Sequence, residues 1–268
     1  MRLAGGVEYD GGAYRGWQAQ PGQATVQGCV ESALCQVAGG AAIATVCAGR
    51  TDAGVHALNQ VVHFDTAAER DEKAWVFGAN ANLPPDIRIH WVAEVSEDFS
   101  ARFNARYRDY RYLIRNTRTR PALAAARCGW WPQPLDADAM HSAAQQLLGE
   151  HDFSAFRAAE CQAHSPMRHL QEIRCERQGD WLMISVRANA FLHHMVRNIV
   201  GSLVKVGQGE RSTSWIAEVL QQRDRRLAGE TAPAQGLYFL TPGYPDTDEL
   251  PQMDGQRYWA ATGLPCVA

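Results

Sequence analysis

The order of predicted secondary structure places this chain in the α+β class, as two ferredoxin-like halves that each follow the pattern β-α-β-β-α-β. Three observations predict it. Short runs rich in β-branched and aromatic residues alternate with longer runs whose apolar residues recur every three or four positions. Glycine and proline separate these runs. The same order of elements occurs in residues 1–104 and again in residues 105–245, without obvious sequence identity between the halves.

The N-terminal half contains four predicted strands and two predicted helices. Thr25 is a residue type favoured at helix N-caps, and Gly39-Gly40 ends the helix that follows it. Pro84-Pro85 separates the second, shorter helix from the last strand of this half. The predicted helices cover residues 26–38 and 71–79, and the predicted strands cover residues 3–9, 43–48, 60–64 and 87–95.

The C-terminal half repeats this order, with Asp136 as a predicted N-cap and Gly149 as a helix end. The predicted strands cover residues 107–115, 170–176, 181–188 and 237–240, and the predicted helices cover residues 137–148, 191–206 and 215–222. Two such sheets side by side would form one extended mixed sheet with a central cleft. Residues 246–268 are predicted to form an irregular C-terminal arm, because the end of the chain is rich in Pro, Asp and Gly.

The composition is that of an ordinary globular protein, with 268 residues, 46% hydrophobic and 21% charged. No segment approaches the roughly 18 apolar residues of a membrane span, and the N-terminus lacks the apolar core of a signal peptide. We therefore expect a cytoplasmic protein without membrane attachment. The seven cysteines are odd in number and include no C-x-x-C pair, which argues against a disulfide framework and a tetrahedral metal site.

One stretch of the chain is strongly basic, although the net charge of the whole chain is −3. Residues 101–120 contain seven arginines and one acidic residue, Asp109, with aromatic residues interleaved. Guanidinium groups bind phosphate in a bidentate manner, and aromatic rings stack on bases. This stretch therefore predicts a nucleic-acid partner, with an ordinary solvated strand as the alternative interpretation.

The most informative motif is Gly-Arg-Thr-Asp-Ala-Gly-Val-His-Ala at residues 49–57, which lies between two β-prone runs. Small residues at positions 49, 53 and 54 allow a sharp turn and leave room for a substrate. The pattern places the carboxylate of Asp52 at a strand exit, near Arg50. An aspartate that only caps a turn is the alternative interpretation.

Five blocks of the chain resemble the tRNA pseudouridine synthase A family, in the order and spacing of that family. They extend from about residue 3 to residue 245, and a chance match of all five in order is not expected. The blocks are residues 7–11 with 14–18, residues 49–57, residues 99–103 with 110–112, residues 189–198, and residues 236–238.

The resemblance implies the pseudouridine synthase fold and the isomerisation of uridines 38, 39 and 40 in the anticodon stem-loop of tRNA. It also implies a homodimer that needs no cofactor and no metal. The reaction breaks the N1–C1′ bond of uridine, turns the base and joins C5 to C1′, and a target base in a stem must first leave its stack.

Each residue that matches the active site of the family is assigned a role by the resemblance. Asp52 is the nucleophile, and Arg50 helps to extrude the target nucleotide. Tyr110 stacks on the uracil and can serve as the base at C5. Arg197 pairs with the catalytic carboxylate and favours its ionised form, and Leu237 forms the apolar floor of the pocket. Attack of Asp52 on C1′ and on C6 are both open.

The resemblance also implies a set of residues that contact RNA outside the active site. A loop that touches RNA in the family often has an arginine where this chain has His164. The predicted RNA contacts are Phe99, Ser100, Ala101, Arg102, Phe103, Arg70, Arg118, Trp131, Glu160, Cys161, Gln162, Ala163 and His164.

Adjacent His193 and His194 suggest a metal site, but on a predicted helix they lack the i, i+4 spacing of a two-histidine site. Two other functions compete with the synthase. An RNA-binding module would keep the basic stretch but would not need Asp52, and a glycoside or nucleoside hydrolase would normally need a second carboxylate.

Overall fold

The structure is a computed structural model that describes residues 1–248, 250–251, 259–260 and 262–264. Contacts divide the chain into two compact units. The first unit comprises Met1–Arg108 and Tyr238–Thr262, and the second comprises Asp109–Leu237 and Gly263–Ala268. Of the predicted C-terminal arm, residues 249, 252–258, 261 and 265–268 lie outside the described residues.

The described residues form ten β-strands and five α-helices, which confirms the predicted α+β class. The strands are β1 Arg2–Tyr9, β2 Val46–Cys47, β3 His56–Asp65, β4 Ile87–Val95, β5 Tyr107–Asn116, β6 Gly129–Trp131, β7 Gly149–Asp152, β8 Met167–Gln178, β9 Trp181–Ala188 and β10 Leu237–Gly243. The helices are α1 Val26–Val37, α2 Glu72–Asn82, α3 Ala137–Ala144, α4 Met195–Gly207 and α5 Trp215–Gln222. Among the described helices, none has the length and apolar character to cross a bilayer.

In the first unit the strand order is β4-β1-β3-β10, and β2 pairs with β3. Strand β1 is antiparallel to both β3 and β4. Strand β10 runs parallel to β3, with Tyr238 opposite His56 and Phe239 opposite Ala57. The last strand of the sequence therefore pairs with a strand from the N-terminal part of the chain.

Helix α1 begins after the predicted cap Thr25, and α2, predicted over residues 71–79, runs from Glu72 to Asn82 with Asp71 as its cap. The Thr25 hydroxyl accepts a hydrogen bond from the Gly28 backbone N–H at 3.4 Å, and Asp71 caps α2 in the same way. Gly78 lets α2 approach α1, because a Cβ there would lie 2.9 Å from a methyl group of Val37. Trp75 of α2 is fully buried against Phe64 of β3, so the core of this unit lies between the helices and the sheet.

Two strands of the first unit differ in length from the prediction. Strand β2 is shorter than residues 43–48, because the carboxylate of Glu31 accepts hydrogen bonds from the backbone and hydroxyl of Thr45 where a strand partner would bind. Strand β3 is longer than residues 60–64, because its first residues pair with both β1 and β10. This pairing extends β3 to His56, close to Asp52.

In the second unit the strand order is β5-β9-β8-β7, and β6 runs parallel to β5. Helix α3 begins after Asp136, whose carboxylate accepts from the Ala139 backbone N–H at 2.9 Å, and packs on β8 and α4. It ends at Ala144, four residues before the predicted end, and a short 3₁₀ turn over Gln145–Leu147 follows it.

The start of α4 at Met195 shows that the predicted helix start at residue 191 is wrong. The physical reason is the backbone of His194, which has a φ of 61° in the left-handed region. The apolar residues Met195, Val196, Ile199 and Leu203 of this helix are all buried. Asn198, a polar residue of the same helix, is also fully buried and donates to the carbonyl oxygen of Phe156 at 2.8 Å.

Candidate active site

The loop that carries Asp52, residues 49–55, connects β2 to β3 and is held at its start by Gln60. This side chain has no exposed surface. Its Oε1 accepts from the Gly49 backbone N–H at 3.3 Å, and its Nε2 donates to the Gly49 carbonyl oxygen. One amide side chain thus satisfies both backbone groups of the first loop residue, in the way a paired strand would.

The centre of the Asp52 loop is held by the residue before the aspartate. The Thr51 hydroxyl is hydrogen-bonded to the buried Tyr9 hydroxyl at 2.7 Å, and the Thr51 carbonyl accepts from the Trp17 backbone N–H at 3.0 Å. Burial raises the pKa of Tyr9, so its phenol stays neutral in this contact. The Asp52 carbonyl accepts from the Val55 backbone N–H at 3.2 Å. The backbone around Asp52 is therefore fixed on both sides.

Two glycines from the N-terminal blocks allow the chain to approach this loop closely. Gly16 has a φ of 89°, and a Cβ there would lie 2.7 Å from the Thr51 carbonyl oxygen. A Cβ on Gly11 would lie 1.9 Å from the Val55 carbonyl oxygen. Residues 11 and 16 therefore shape the frame of the Asp52 loop, which gives a physical role to blocks recognised first by resemblance.

Two exposed arginines act on one buried thiol near the Asp52 loop. Burial raises the pKa of Cys47 to about 11, and the charges of Arg50 and Arg102 oppose this rise. Arg50 and Arg102 therefore lie within electrostatic range of the same side chain. Asp52 itself is half-buried, and Arg50 is exposed.

The block at residues 99–103 divides into a buried and an exposed part. Phe99 is 2% exposed and Ala101 is fully buried, and the Tyr244 hydroxyl donates to the Ala101 carbonyl oxygen at 2.6 Å. Arg102 and Phe103 face solvent, with the guanidinium carbon 5.2 Å from the centre of the ring. Ser100 accepts from the Phe103 backbone N–H through its hydroxyl. The buried residues thus hold a turn that presents a cation and an aromatic ring.

His63 supports the same turn from strand β3. Its Nδ1 accepts a hydrogen bond from the Ala101 backbone N–H at 3.0 Å, which requires the neutral ring. Burial lowers the pKa of His63, and the charge of Arg2 lowers it further.

The basic stretch of residues 101–120 is not a uniformly exposed surface. Arg102, Arg106, Arg118 and Arg120 are exposed, as predicted for residues that bind phosphate. Arg108 and Arg111, in contrast, are 9% and 5% exposed. Arg115 pairs with Asp180 at 2.9 Å. Arg108 and Arg111 lie on opposite faces of β5, and each binds protein groups instead of solvent, Arg108 the Ala48 carbonyl and Arg111 the Ser185 hydroxyl.

Tyr110 lies on β5 in the second unit and is 7% exposed. Its ring meets Phe191 edge to face, with 5.0 Å between the ring centres. Tyr112 lies two residues further along the same strand, is fully buried, and donates its hydroxyl hydrogen to the Pro233 carbonyl oxygen at 2.8 Å. The phenol of Tyr110 is thus carried on a strand that also buries Tyr112, two residues along on the same face.

Tyr112 links the strand to two further predicted residues. Burial raises the pKa of Tyr112, and the charge of Arg197 opposes the rise, so Arg197 lies within electrostatic range of this phenol. A Cβ on Gly236 would lie 2.6 Å from the Tyr112 ring, so the residue before Leu237 contacts the same side chain. Arg197 and the residue before Leu237 therefore both lie near Tyr112, which is two residues from Tyr110 on β5.

Arg197 lies in the first turn of α4 and is half-buried. Its Nε donates to the Ala232 carbonyl oxygen at 2.8 Å, and its own carbonyl accepts from the Ala232 backbone N–H at 3.1 Å. The Nε bond orients the guanidinium, and the backbone bond holds this part of the helix. Leu237 is 5% exposed at the start of β10.

The predicted RNA loop at residues 160–164 is attached to the segment that precedes α4. The backbone N–H of His193 donates to the sulfur of Cys161, and the His193 carbonyl accepts from the Ala158 backbone N–H at 3.0 Å. Glu160, Gln162 and His164 are exposed, and Cys161 and Ala163 are half-buried.

The positions of His193 and His194 change one argument from the sequence. Both precede α4, so the helical spacing used to argue against a metal site does not apply to them.

The peripheral predictions are placed as follows. Arg118 is exposed in the segment after β5, and Arg70 is exposed just before α2. Trp131 is half-buried on β6, with its ring 6.4 Å from that of Tyr112. Exposure makes contact with RNA possible for the two arginines, and the RNA contacts of all three stay predictions.

Several residues that hold the site were missed by the sequence analysis. Gln60 carries no clear signal, because Asn59 and His63 are polar residues in the same β-prone run. Arg108 carries no clear signal either, because it is one of seven arginines in its stretch. Thr51 lies inside the recognised motif, but its bond to Tyr9 depends on the fold.

Comparison with known proteins gives a consistent result. A family model described as tRNA pseudouridine synthase matches residues 7–104 and 143–245. A tRNA pseudouridine synthase A of Bordetella avium is 54% identical over 95% of this chain and 96% of its own length. Proteins of the same name from Aeromonas hydrophila and Idiomarina loihiensis are 51% and 52% identical, over 99% and 97% of this chain and 98% and 99% of their own lengths. Asp52 and Arg197 lie in the two matched segments, and Tyr110 lies between them.

Proposed function

Because the chain belongs to the tRNA pseudouridine synthase family, we propose that it isomerises uridine to pseudouridine in tRNA. The targets are uridines 38, 39 and 40 of the anticodon stem-loop. The observation that carries this proposal is the Asp52 loop, in which buried side chains hold the backbone on both sides of one half-buried carboxylate. Such a carboxylate is what the reaction needs, because a detached fragment must be retained while the base turns.

Asp52 is the nucleophile of the proposed reaction. The N1–C1′ bond breaks, the base rotates, and a C5–C1′ bond forms. C5 loses a proton and N1 gains one, so the reaction is balanced without an oxidant, a reductant or an energy source. The carboxylate holds the intermediate covalently or stabilises the cation-like sugar. Attack at C1′ and attack at C6 are both compatible with this role.

Tyr110, Arg197 and Leu237 act with Asp52 in the same reaction. Tyr110 stacks on the uracil, and its phenol accepts the C5 proton. The rigid strand and the edge contact with Phe191 support this role, because a stacking ring must keep its plane while the base rotates. Arg197 pairs with the carboxylate, and Leu237 forms the floor of the uracil site. The hydrogen bond from the Arg197 Nε to the Ala232 carbonyl supports a fixed guanidinium.

Arg50 and the turn at residues 99–103 act on the RNA outside the reacting uridine. Arg50 is exposed two residues before the nucleophile, so it can fill the space left by an extruded nucleotide or hold the displaced phosphate. Arg102 and Phe103 offer a phosphate ligand and a stacking face side by side. The buried side chains of Phe99 and Ala101 support this surface by shaping the turn.

Two features of the proposal concern the whole protein. The enzyme acts as a homodimer in the cytoplasm, as the family resemblance implies. In a dimer one subunit can bind the body of the tRNA while the other modifies the anticodon arm. A basic RNA surface on a chain with a net charge of −3 suits this arrangement, because the rest of the surface repels non-specific RNA.

The test is release of tritium from tRNA labelled at C5 of uridine. The wild-type protein should release label, and Asp52→Asn should reduce the release by more than about 10³-fold, since the amide is not a nucleophile. Asp138→Asn, at an exposed position on α3, is the matched control and should release label like the wild type.

Three outcomes would contradict the proposal. Release at the wild-type rate by Asp52→Asn would remove the nucleophile. Tight tRNA binding without any release by the wild type would indicate an RNA-binding module. Free uracil as the product would indicate hydrolysis of the glycosidic bond.

A further inference from the structure

Arg108 is a buried arginine in the middle of the basic stretch, and its guanidinium binds protein rather than solvent. The residue is 9% exposed. Its Nε and Nη2 donate to the Ala48 carbonyl oxygen at 3.1 and 2.9 Å. Its Nη1 donates to the Ala105 carbonyl oxygen at 2.9 Å, and its Nη2 also donates to the Arg102 carbonyl oxygen at 2.5 Å.

These three carbonyl oxygens belong to two segments that the proposed function uses differently. Ala48 immediately precedes Gly49, the first residue of the Asp52 loop, and its N–H donates to the Val61 carbonyl at 2.8 Å. Arg102 and Ala105 belong to residues 99–105. This segment comprises the turn at residues 99–103, which presents Arg102 and Phe103 to solvent, and the two residues that follow it. One guanidinium therefore joins the start of the Asp52 loop to the turn proposed to contact RNA.

The geometry explains why an arginine occupies this position. A guanidinium offers five N–H donors in a fixed plane, so it can bind three carbonyl oxygens at once with little loss of side-chain freedom. A lysine ammonium carries the same charge, but all its N–H donors are on one nitrogen. It cannot reproduce the planar arrangement of the guanidinium donors.

We propose that Arg108 is a positioning residue, which holds the turn at residues 99–105 and the Asp52 loop in a fixed relation. On this reading, tRNA bound by Arg102 and Phe103 meets an Asp52 that is already oriented. The inference rests on the proposed function of both segments. Loss of Arg108 should therefore lower the rate of the chemical step. A role in binding phosphate, which its place in the basic stretch would suggest, is not assigned to it.

The kinetic test compares Arg108→Lys and Arg108→Gln with Arg211→Gln, an exposed arginine outside the basic stretch. The rate is measured by tritium release in a single turnover at saturating tRNA, and the Kd by filter binding over a series of salt concentrations. Both Arg108 variants should lower the single-turnover rate by roughly 10- to 100-fold, because small misplacement of a nucleophile has effects of this size. Their Kd should stay within about twofold of the wild-type value, with an unchanged salt slope.

Arg211→Gln should leave the single-turnover rate unchanged. Three results would overturn the inference. Arg108→Gln could weaken binding and reduce the salt slope by about one while the rate is retained, which identifies a phosphate ligand. Arg108→Lys could restore the full rate, which shows that charge alone matters. Both variants could match the wild type.

Hydrogen exchange without tRNA gives a readout that does not depend on activity. In Arg108→Lys the amides of residues 48–49 and 102–105 should exchange faster, while the amides of β8 and β9 should keep the wild-type rate and so report on global folding. Faster exchange in only one of the two segments contradicts the inference. If the inference holds and the proposed function fails, this exchange pattern appears in a protein that releases no tritium.

A measurement on the wild-type protein covers the case in which Arg108 variants do not fold. Binding of an anticodon stem-loop RNA should slow exchange at residues 102–105 and also at residues 48–49. Protection of the turn alone would show that the two segments are not coupled.

Discussion

The Asp52 loop of the first unit and the Tyr110–Arg197 region of the second unit are positioned by different interactions. Polar side chains hold the loop, through Gln60 on Gly49, Tyr9 on Thr51 and Arg108 on Ala48. Regular elements hold the other region, since Tyr110 lies on a strand and Arg197 on a helix. A loop without strand partners leaves backbone groups that buried side chains must satisfy, whereas a strand or helix satisfies its own.

This difference predicts different responses to mutation. Changes near the loop should disturb the reaction as well as stability, because single polar contacts determine where Asp52 lies. Changes near Tyr110 should act mainly on stability, because many packing contacts together determine the position of this side chain. Four experiments, in order of decreasing effect, test this contrast.

The largest effect is expected for Gly16→Ala. The new Cβ would meet the Thr51 carbonyl oxygen at 2.7 Å, and the backbone φ of 89° disfavours any residue with a side chain. We expect the free energy of unfolding to fall by about 3 kcal/mol, with a large loss of tritium release. The control is Gly22→Ala, because Gly22 has a φ of 70° but no atom within 4 Å of its Cβ. Gly22→Ala should lower the free energy of unfolding by about 1 kcal/mol and keep its rate of tritium release. If urea unfolding shows equal losses of stability for the two variants, contact with the loop is unimportant.

The next effect is expected for Gln60→Met, which keeps the size of the side chain but removes both hydrogen bonds to Gly49. Leaving buried backbone groups unsatisfied should lower the free energy of unfolding by about 2 kcal/mol. The single-turnover rate should fall as well, because the start of the Asp52 loop is released. Urea unfolding and single-turnover tritium release measure the two effects. A stability loss with a wild-type rate would show that this bond does not orient Asp52.

Tyr112→Phe should have a smaller effect. It removes the hydrogen bond to the Pro233 carbonyl but keeps the ring that packs against Gly236. We expect a loss of about 1 kcal/mol in urea unfolding and a nearly unchanged rate of tritium release. A rate loss as large as that of Gln60→Met would contradict the contrast between the two regions.

The smallest effect concerns pH and His63. Because burial holds the folded-state pKa of His63 below its unfolded value, the unfolded chain binds the extra proton more readily. The resulting stability is fully present above about pH 6.5 and is lost as the pH falls below that value towards the lowered folded-state pKa. Protonation would also remove the acceptor for the Ala101 N–H. Urea unfolding between pH 5 and 7.5 should show a steeper fall for the wild type than for His63→Gln; parallel curves would exclude this role.

Much of the local structure could be predicted from the sequence because its causes are local. Thr25, Asp71 and Asp136 begin helices where their side chains cap backbone N–H groups. Strands β4 and β9 and helix α5 have the predicted bounds. The period of the apolar residues and the chemistry of caps and turns are properties of a few neighbouring residues.

The candidate site was predictable in part for a different reason. The motif around Asp52 identified the aspartate and its arginine, but no pattern revealed Gln60 or Arg108 as the residues that hold the loop. Their partners are backbone groups in other segments, so their roles exist only once the chain is folded. Similarly, the left-handed backbone of His194, which sets the start of α4, has no local signal such as glycine.

The sequence by itself determined the class of fold, the order of the elements in the first half and the family to which the chain belongs, but it did not predict β6 and β7. Only the tertiary structure decided that β10 pairs in parallel with β3, that some arginines of the basic stretch are buried, and that the polar contacts of the first unit converge on the Asp52 loop. The physical reason is the separation along the chain over which each interaction acts. Propensity and capping act between neighbours in the chain, whereas strand pairing and the burial of a charge depend on groups that only folding brings together.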